Sequence, residues 1–402
     1  MALLKFKDLK FEQHKGRVRV KFLDMFYMDI AENALKAISP FEVREHEIDF
    51  KQGSEQRAKR KFDSLLDKSF LLLKNRLNHK PAVYIHRFSG IPLMGTNYFG
   101  LVDRGTNIIE VKPMTGCNLN CNYCSVDEGP KSRHKVDYVV EEGYLVQECR
   151  KLIDYKQRND VQMHIAGQGE PLLYPMLLEL IRDLKAIKAV KEVYVVTNGL
   201  LLTKSFIDRL AEAGLTRINL SLNAMDQQVA NKMAGMTYNL HHVCEMARYA
   251  AQKMDIMLVP VLLSGLNEQE MPKLMAFAKE IGAGKRCPPI GIQNFLYYRF
   301  GRNPAKQMAW EGFYKQLEAW EKEFKMLLIF QDVGVRDARE LPKPFRKGTI
   351  VEAEIRLPGR IKGEKIAVAN GRCISVMNCD KEGKVRVKIV RTKHNIFSGV
   401  LA

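Results

Sequence analysis

Lys112-Pro113-Met114-Thr115-Gly116-Cys117-Asn118-Leu119-Asn120-Cys121-Asn122-Tyr123-Cys124 is the stretch on which the fold turns. Its three cysteines have the spacing Cys-x3-Cys-x2-Cys. A [4Fe-4S] cluster takes one thiolate per iron, so three thiolates in a tight loop leave one iron open to another ligand. Structural zinc wants four ligands, and no fourth Cys or His sits at finger-like spacing, the next His being His134. Zinc is therefore the weaker reading.

Outward from this loop, short β-rich runs alternate with helical patterns: Ile108–Val111, Val161–Ile165, Val193–Val196, Ile218–Leu222, Ile256–Leu262 and Ile290–Leu296. Between them Tyr174–Ile187, Lys204–Ala213 and Glu268–Ile281 keep apolar residues at three- and four-residue spacing. The alternation implies an α/β fold in which helices cover a parallel sheet and ligands bind at the C-terminal strand ends. Six such units make a partial (β/α)6 barrel. The strand ends are polar where a buried strand would otherwise be apolar. Ala166-Gly167-Gln168-Gly169-Glu170-Pro171 follows the second strand, Thr197-Asn198-Gly199 the third, and Leu220-Ser221-Leu222-Asn223-Ala224 closes the fourth. Each string alone reads as an ordinary strand-to-helix turn or cap.

Taken together and in this order, the strings resemble the radical S-adenosylmethionine (SAM) superfamily. The resemblance implies Cys117, Cys121 and Cys124 as cluster ligands, with the amino and carboxylate groups of SAM on the open iron. It also implies reductive cleavage of the S–C5′ bond to a 5′-deoxyadenosyl radical. Tyr123 would pack near the adenine. Gly167, Gly169 and Glu170, like the family's Gly-x-Gly-Glu-Pro, would receive the ammonium group, the glycines admitting close backbone approach and Glu170 supplying an anionic acceptor. Asn198 belongs to the same constellation. Ser221 and Asn223 correspond to ribose contacts, and Asn294 in the sixth strand to an adenine contact. Tyr297, Tyr298, Arg299 and Arg302 follow that strand and could stack a flipped base.

The 402 residues carry 64 Lys+Arg against 46 Asp+Glu, a net charge of +18, and a hydrophobic fraction of 46%. That fraction excludes disorder as the main state. No apolar run approaches the roughly 20 residues that cross a bilayer, and the first residues lack a signal peptide's apolar region, so a cytoplasmic protein with no membrane role is expected. Residues 343–402 hold 14 Lys/Arg and five Asp/Glu, half of the net charge. Lys51–Lys80 adds a second excess, nine against three. Such patches suit polyanions, because each neutralised phosphate releases counterions.

Residues 1–107 read as a basic α+β segment, with a strand over Val43–Phe50 and an amphipathic helix over Gln56–Leu77. Residues 108–340 form the partial barrel, and Leu341-Pro342-Lys343-Pro344 links it to 345–402. There, Ile350–Ile355, Lys365–Ala369 and Val385–Ile389 alternate between glycines and predict a small all-β, OB-like barrel. Gly348–Leu357, Leu357–Glu364 and the basic run Val385–His394 resemble a TRAM domain, found on RNA-modifying enzymes. That resemblance nominates Arg360, Lys362, Arg391 and Lys393 as RNA contacts. Methylthiotransferases acting on tRNA also join the two domains, but carry three more N-terminal cysteines, and residues 1–107 have none. Cys149, Cys244, Cys373 and Cys379 read as buried small hydrophobes. Cys287, placed by the pattern near the open end of the barrel, is the candidate catalytic thiol. The expected function is modification of an RNA base, tRNA first, by deoxyadenosyl-radical chemistry, with ferredoxin or flavodoxin as electron donor. The alternative is a radical enzyme acting on a protein or small metabolite, its terminal barrel only a scaffold.

Overall fold

Five parallel strands form the main sheet of the larger unit: β2 (Ile108–Lys112), β3 (Val161–Ile165), β4 (Val190–Thr197), β5 (Arg217–Leu220) and β6 (Asp255–Leu258). They lie side by side in chain order, and β1 (Gly100–Asp103) closes one edge antiparallel to β2. The structure is a computed structural model describing residues 2–330 and 334–402. It divides into two compact units, Met1–Ile85 with Lys135–Val139, and His86–His134 with Val140–Ala402.

In the larger unit, chain-order pairing follows from the sequence pattern. Buried apolar residues alternate along the strands: Ile109, Val111, Met163, Val193, Ile218 and Ile256 share one buried face of the sheet, while Glu110, Gln162, His164, Arg217 and Asn219 on the other face are partly exposed. Helices cross between strands, and their starts are written in the sequence. Thr203 accepts from the Phe206 amide at 3.1 Å ahead of Lys204–Glu212, and Asn239 accepts from the His242 amide at 3.2 Å ahead of Leu240–Lys253.

The last two expected strands are shorter than their patterns suggest. The expected run Ile256–Leu262 breaks at Pro260, which has no N–H to donate, leaving β6 and a two-residue strand Val261–Leu262. That pair runs parallel to β7 (Gln293–Asn294), all that remains of Ile290–Leu296 apart from an isolated bridge between Leu258 and Ile290. Pro288 and Pro289 ahead of it remove two further donors.

The C-terminal residues close into a barrel in the order β8 (Ile350–Pro358), β9 (Lys365–Ala369), β10 (Arg372–Met377), β12 (Ser398–Leu401) and β11 (Gly383–Arg391). Closure removes every edge strand. Inward residues Ala353, Ile355, Ala367, Ile374, Val376, Val387, Ile389 and Phe397 form its core. Backbone bonds seat the barrel on the segment before β1, from Cys373 N to Met94 O and from Phe397 N to Gly95 O, both 2.8 Å.

In the smaller unit the helix Glu55–Phe70 buries Ala58, Phe62 and Leu66 and leaves Arg57, Lys59, Arg60, Lys61 and Lys68 exposed. The Phe62 ring meets those of Phe6, Phe11 and Phe50 at 5.6 to 6.1 Å. The run Val43–Phe50 is not one strand. It is a hairpin, Phe41–Arg44 against Glu47–Phe50, turning at Glu45-His46.

Candidate active site

Gln168-Gly169 runs beside Thr115-Gly116, and the Glu170 amide donates to Gly116 O at 2.9 Å. Gly169 has φ +146°, and a Cβ there would lie 1.9 Å from Gly116 O. Only glycine allows this approach, which brings the cysteine loop and Glu170 to one place. They line a cavity of about 300 Å³ at the C-terminal strand ends. Cys117, Cys121 and Cys124 stand on its wall, each partly exposed.

Glu170 is buried and held through both oxygens. Oε1 accepts from Leu172 N at 3.0 Å and Thr197 Oγ1 at 2.7 Å, and Oε2 accepts from Asn198 N at 2.8 Å. Burial raises its pKa to about 7, and these donors hold it from rising further. Asn198 donates through Nδ2 to Asn118 Oδ1 in the cysteine loop at 2.8 Å, and its carbonyl accepts from Tyr238 OH. Across the cavity Asn223 Nδ2 donates to Tyr123 OH at 2.7 Å, while Asn223 Oδ1 accepts from Val261 N. Gly167, Ser221 and Asn294 also line the cavity. Pattern reading passed over Tyr238, Glu128 and Phe295, which also line the cavity. Thr197, quoted in the third string but given no role, carries a direct bond to Glu170.

Three expectations are corrected. Cys287 does not line this cavity: it sits beside Asp255 and Arg217, the first residues of β6 and β5, at the opposite end of the strands. Burial pushes its thiol up to about 12, so it is a protonated thiol away from the site. Arg360 is fully buried and its guanidinium pairs with the Glu128 carboxylate, so it presents no charge to RNA. Lys362, Arg391 and Lys393 are exposed. Arg302, placed in a possible stacking run, instead bonds to the cysteine loop.

The family profile described as Radical SAM superfamily matches residues 111–278. The uncharacterized protein MJ0103 of Methanocaldococcus jannaschii is 37% identical over 355 residues, 81% of this chain and 82% of that protein. The chain belongs to the radical SAM superfamily. The GTP 3′,8-cyclase of Chlorobaculum tepidum is 29% identical over 197 residues, 49% of this chain and 56% of that enzyme, so the chain spans about half the length of this relative. Among solved structures, SuiB of Streptococcus suis is 13% identical, covers 82% of this chain and 72% of its own, and superposes with a TM-score of 0.43.

Radical SAM proteins use a [4Fe-4S] cluster and SAM, and the residues present fit both. Among the described residues no three His, Cys, Asp or Glu side chains converge on a single ion. The three thiols line one cavity, as one thiolate per iron of a cluster requires. Leu119 N donates to Cys117 Sγ at 3.4 Å and Glu128 N to Cys124 Sγ at 3.3 Å, suiting sulfurs that carry charge. Burial raises all three thiols, Cys121 to about 12, and metal coordination supplies the deprotonation that burial opposes. The carboxylate of Glu170 suits a cation. Asn294 Oδ1 is buried with no hydrogen-bond partner among the described residues, an acceptor left for a ligand's donor.

Proposed function

We propose that this radical SAM enzyme modifies a base of RNA, tRNA being the first substrate to test, and that its C-terminal barrel is a TRAM domain that holds phosphates. The observation carrying the reading is the outer face of β11. Lys384, Arg386 and Lys388 are exposed at alternate positions, and Arg391 and Lys393 follow, also exposed. Across the ladder Glu354 faces Lys384 and Glu352 faces Arg386, whereas Lys388 faces Ile350. The acids offset the first two charges, leaving Lys388, Arg391, Lys393 and the loop residue Lys362 as the phosphate contacts.

At the cavity Glu170 receives the SAM ammonium, Ser221 and Asn223 the ribose, and Asn294 the adenine, with Tyr123 packed beside it. A [4Fe-4S] cluster held by Cys117, Cys121 and Cys124, and reduced by an external donor such as a ferredoxin or flavodoxin, would supply the electron for reductive cleavage of SAM and so for radical chemistry at an unreactive carbon. The protein's own residues bind and orient the cofactor and keep water from the reacting face.

Deleting the barrel is not a clean test, because backbone bonds seat it on the segment before β1. Replacing Lys362, Lys388, Arg391 and Lys393 by Ala leaves the barrel's core untouched. Log affinity for tRNA should fall linearly with log salt in the parent, and the slope should shrink by roughly 0.7 to 0.9 for each phosphate no longer neutralised. SAM cleavage without RNA should not change. Equal affinity and equal slope in parent and variant would favour a protein or metabolite substrate, with the barrel a scaffold.

A further inference from the structure

Beyond Cys124 the chain turns back through Ser125-Val126-Asp127-Glu128, and this turn forms the outer wall of the cysteine loop. Glu128 N donates to Cys124 Sγ at 3.3 Å, so the turn aims a donor at one cluster ligand. Two arginines distant in sequence hold it.

The first is Arg302, after β7. Its Nη1 donates to Cys121 O at 2.9 Å, Nη2 to Glu128 O at 2.9 Å and Nε to Asp127 Oδ1 at 2.7 Å, while its backbone N donates to Cys124 O at 2.9 Å. A Cβ on the preceding Gly301 would lie 2.8 Å from Ser125 O and 3.0 Å from Cys124 O, so glycine is needed for this approach. Asp127 also accepts from Arg133 Nε at 2.8 Å.

The second is Arg360, in the loop between β8 and β9 of the terminal barrel. Its guanidinium pairs with the carboxylate of Glu128, and both side chains are buried, at 0% and 3% exposure. His134 Nδ1 lies 3.4 Å from the same carboxylate. Arg360 is itself fixed, because its backbone N donates to Glu364 Oε2 at 2.9 Å and Glu364 Oε1 accepts from Tyr98 OH at 2.9 Å.

We propose that Arg302 and Arg360 are positioning residues for the [4Fe-4S] cluster, and that through the Arg360–Glu128 pair the terminal barrel sets the cluster's reduction potential. The potential of an iron–sulfur cluster depends on local charge, on hydrogen bonds to its sulfurs and on burial. All three are governed here by a turn that is clamped from outside the loop. The inference rests on the cluster assignment and is independent of whether the substrate is RNA.

The test uses the full chain, anaerobically reconstituted, with the midpoint potential measured by EPR-monitored titration at one pH. Iron content and apo-protein melting are followed alongside. Arg360→Met leaves a buried carboxylate beside Cys124 and should make reduction at least tenfold less favourable, a shift of about 59 mV to more negative potential for a one-electron couple. Glu128→Gln leaves the arginine's charge in place and should shift the potential the opposite way. The double variant should return close to the parent. Arg302→Met should shift it negative, and Arg302→Lys should recover the part due to charge.

A purely structural contact would move both members of the Arg360–Glu128 pair in the same direction or leave the potential unchanged, and either result overturns the proposal. If Arg360→Met fails to fold, the decision passes to Glu128→Gln and Arg302→Met, which must shift the potential in opposite directions.

Discussion

Replacing Glu170 by Gln removes one charge from the centre of the proposed SAM site while keeping shape and volume. Three donors hold the carboxylate, from Leu172 N, Thr197 Oγ1 and Asn198 N, and none touches a cysteine, so the iron complement should survive. A hydrogen bond to a charged group contributes about 1.5 to 3 kcal/mol, so SAM affinity at pH 8 should fall roughly ten- to hundredfold. The pH dependence is sharper still. Burial lifts Glu170 to about 7, above the ordinary carboxyl value, so it loses its charge as pH falls through 7. Going from pH 8 to 6 takes the ionised fraction from about nine-tenths to about one-tenth, and the advantage of parent over Gln variant should shrink about tenfold. Comparing the two proteins cancels any titration of the cofactor itself. Equilibrium dialysis of SAM at pH 6, 7 and 8, with iron assayed in parallel, measures this ratio. A ratio that does not change with pH, or a Gln variant that binds as tightly as the parent, would refute the role given to Glu170.

Two further outcomes follow from particular contacts. Replacing Cys117, Cys121 and Cys124 together by Ala should abolish iron binding, which in the parent is about four irons per chain; a full iron complement in the variant would refute the ligand set. His164 on β3 stacks on Tyr194 at 4.8 Å, and burial lowers its pKa to about 4. The unfolded chain therefore takes up a proton near 6.5 that the folded chain refuses, so stability is lost as pH falls from about 6.5 to about 4. Between pH 7.5 and 5 this amounts to about 2 kcal/mol, and His164→Phe should remove most of it in urea titrations of the apo-protein. An unchanged pH dependence would count against this reading.

Much of the site was legible in the sequence because it depends on local spacing. The cysteine loop, Glu170, Asn198, Ser221 and Asn223 each follow a strand, and parallel topology gathers strand ends at one face. The strand Val161–Ile165 is legible to the residue, since apolar Val161, Met163 and Ile165 alternate with polar Gln162 and His164 without a break. Where prolines interrupt the pattern, at Pro260 and at Pro288-Pro289, composition still read as strand while the missing donors cut the ladder short. The antiparallel edge strand β1 was missed, lying outside the repeating units. In the barrel three strands were anticipated, and β10 and β12 were not. Arg360 lies between Gly359 and Gly363 in a basic loop, which reads as exposed; its partner Glu128 is 232 residues away, beyond the reach of any local pattern. Arg302 was misread for the same reason. Cys287 lies before the sixth strand in sequence, and only the folded chain shows which end of the sheet it occupies.

Whether SAM-derived radical chemistry is directed at RNA, as proposed, is tested most directly by nucleoside analysis. The reconstituted, reduced enzyme is incubated anaerobically with SAM and bulk tRNA, and the RNA is digested and examined by mass spectrometry. 5′-Deoxyadenosine is expected together with a nucleoside of changed mass, both absent when Cys117, Cys121 and Cys124 are replaced. Formation of 5′-deoxyadenosine with every nucleoside unchanged, in tRNA and in total RNA alike, would contradict the proposal.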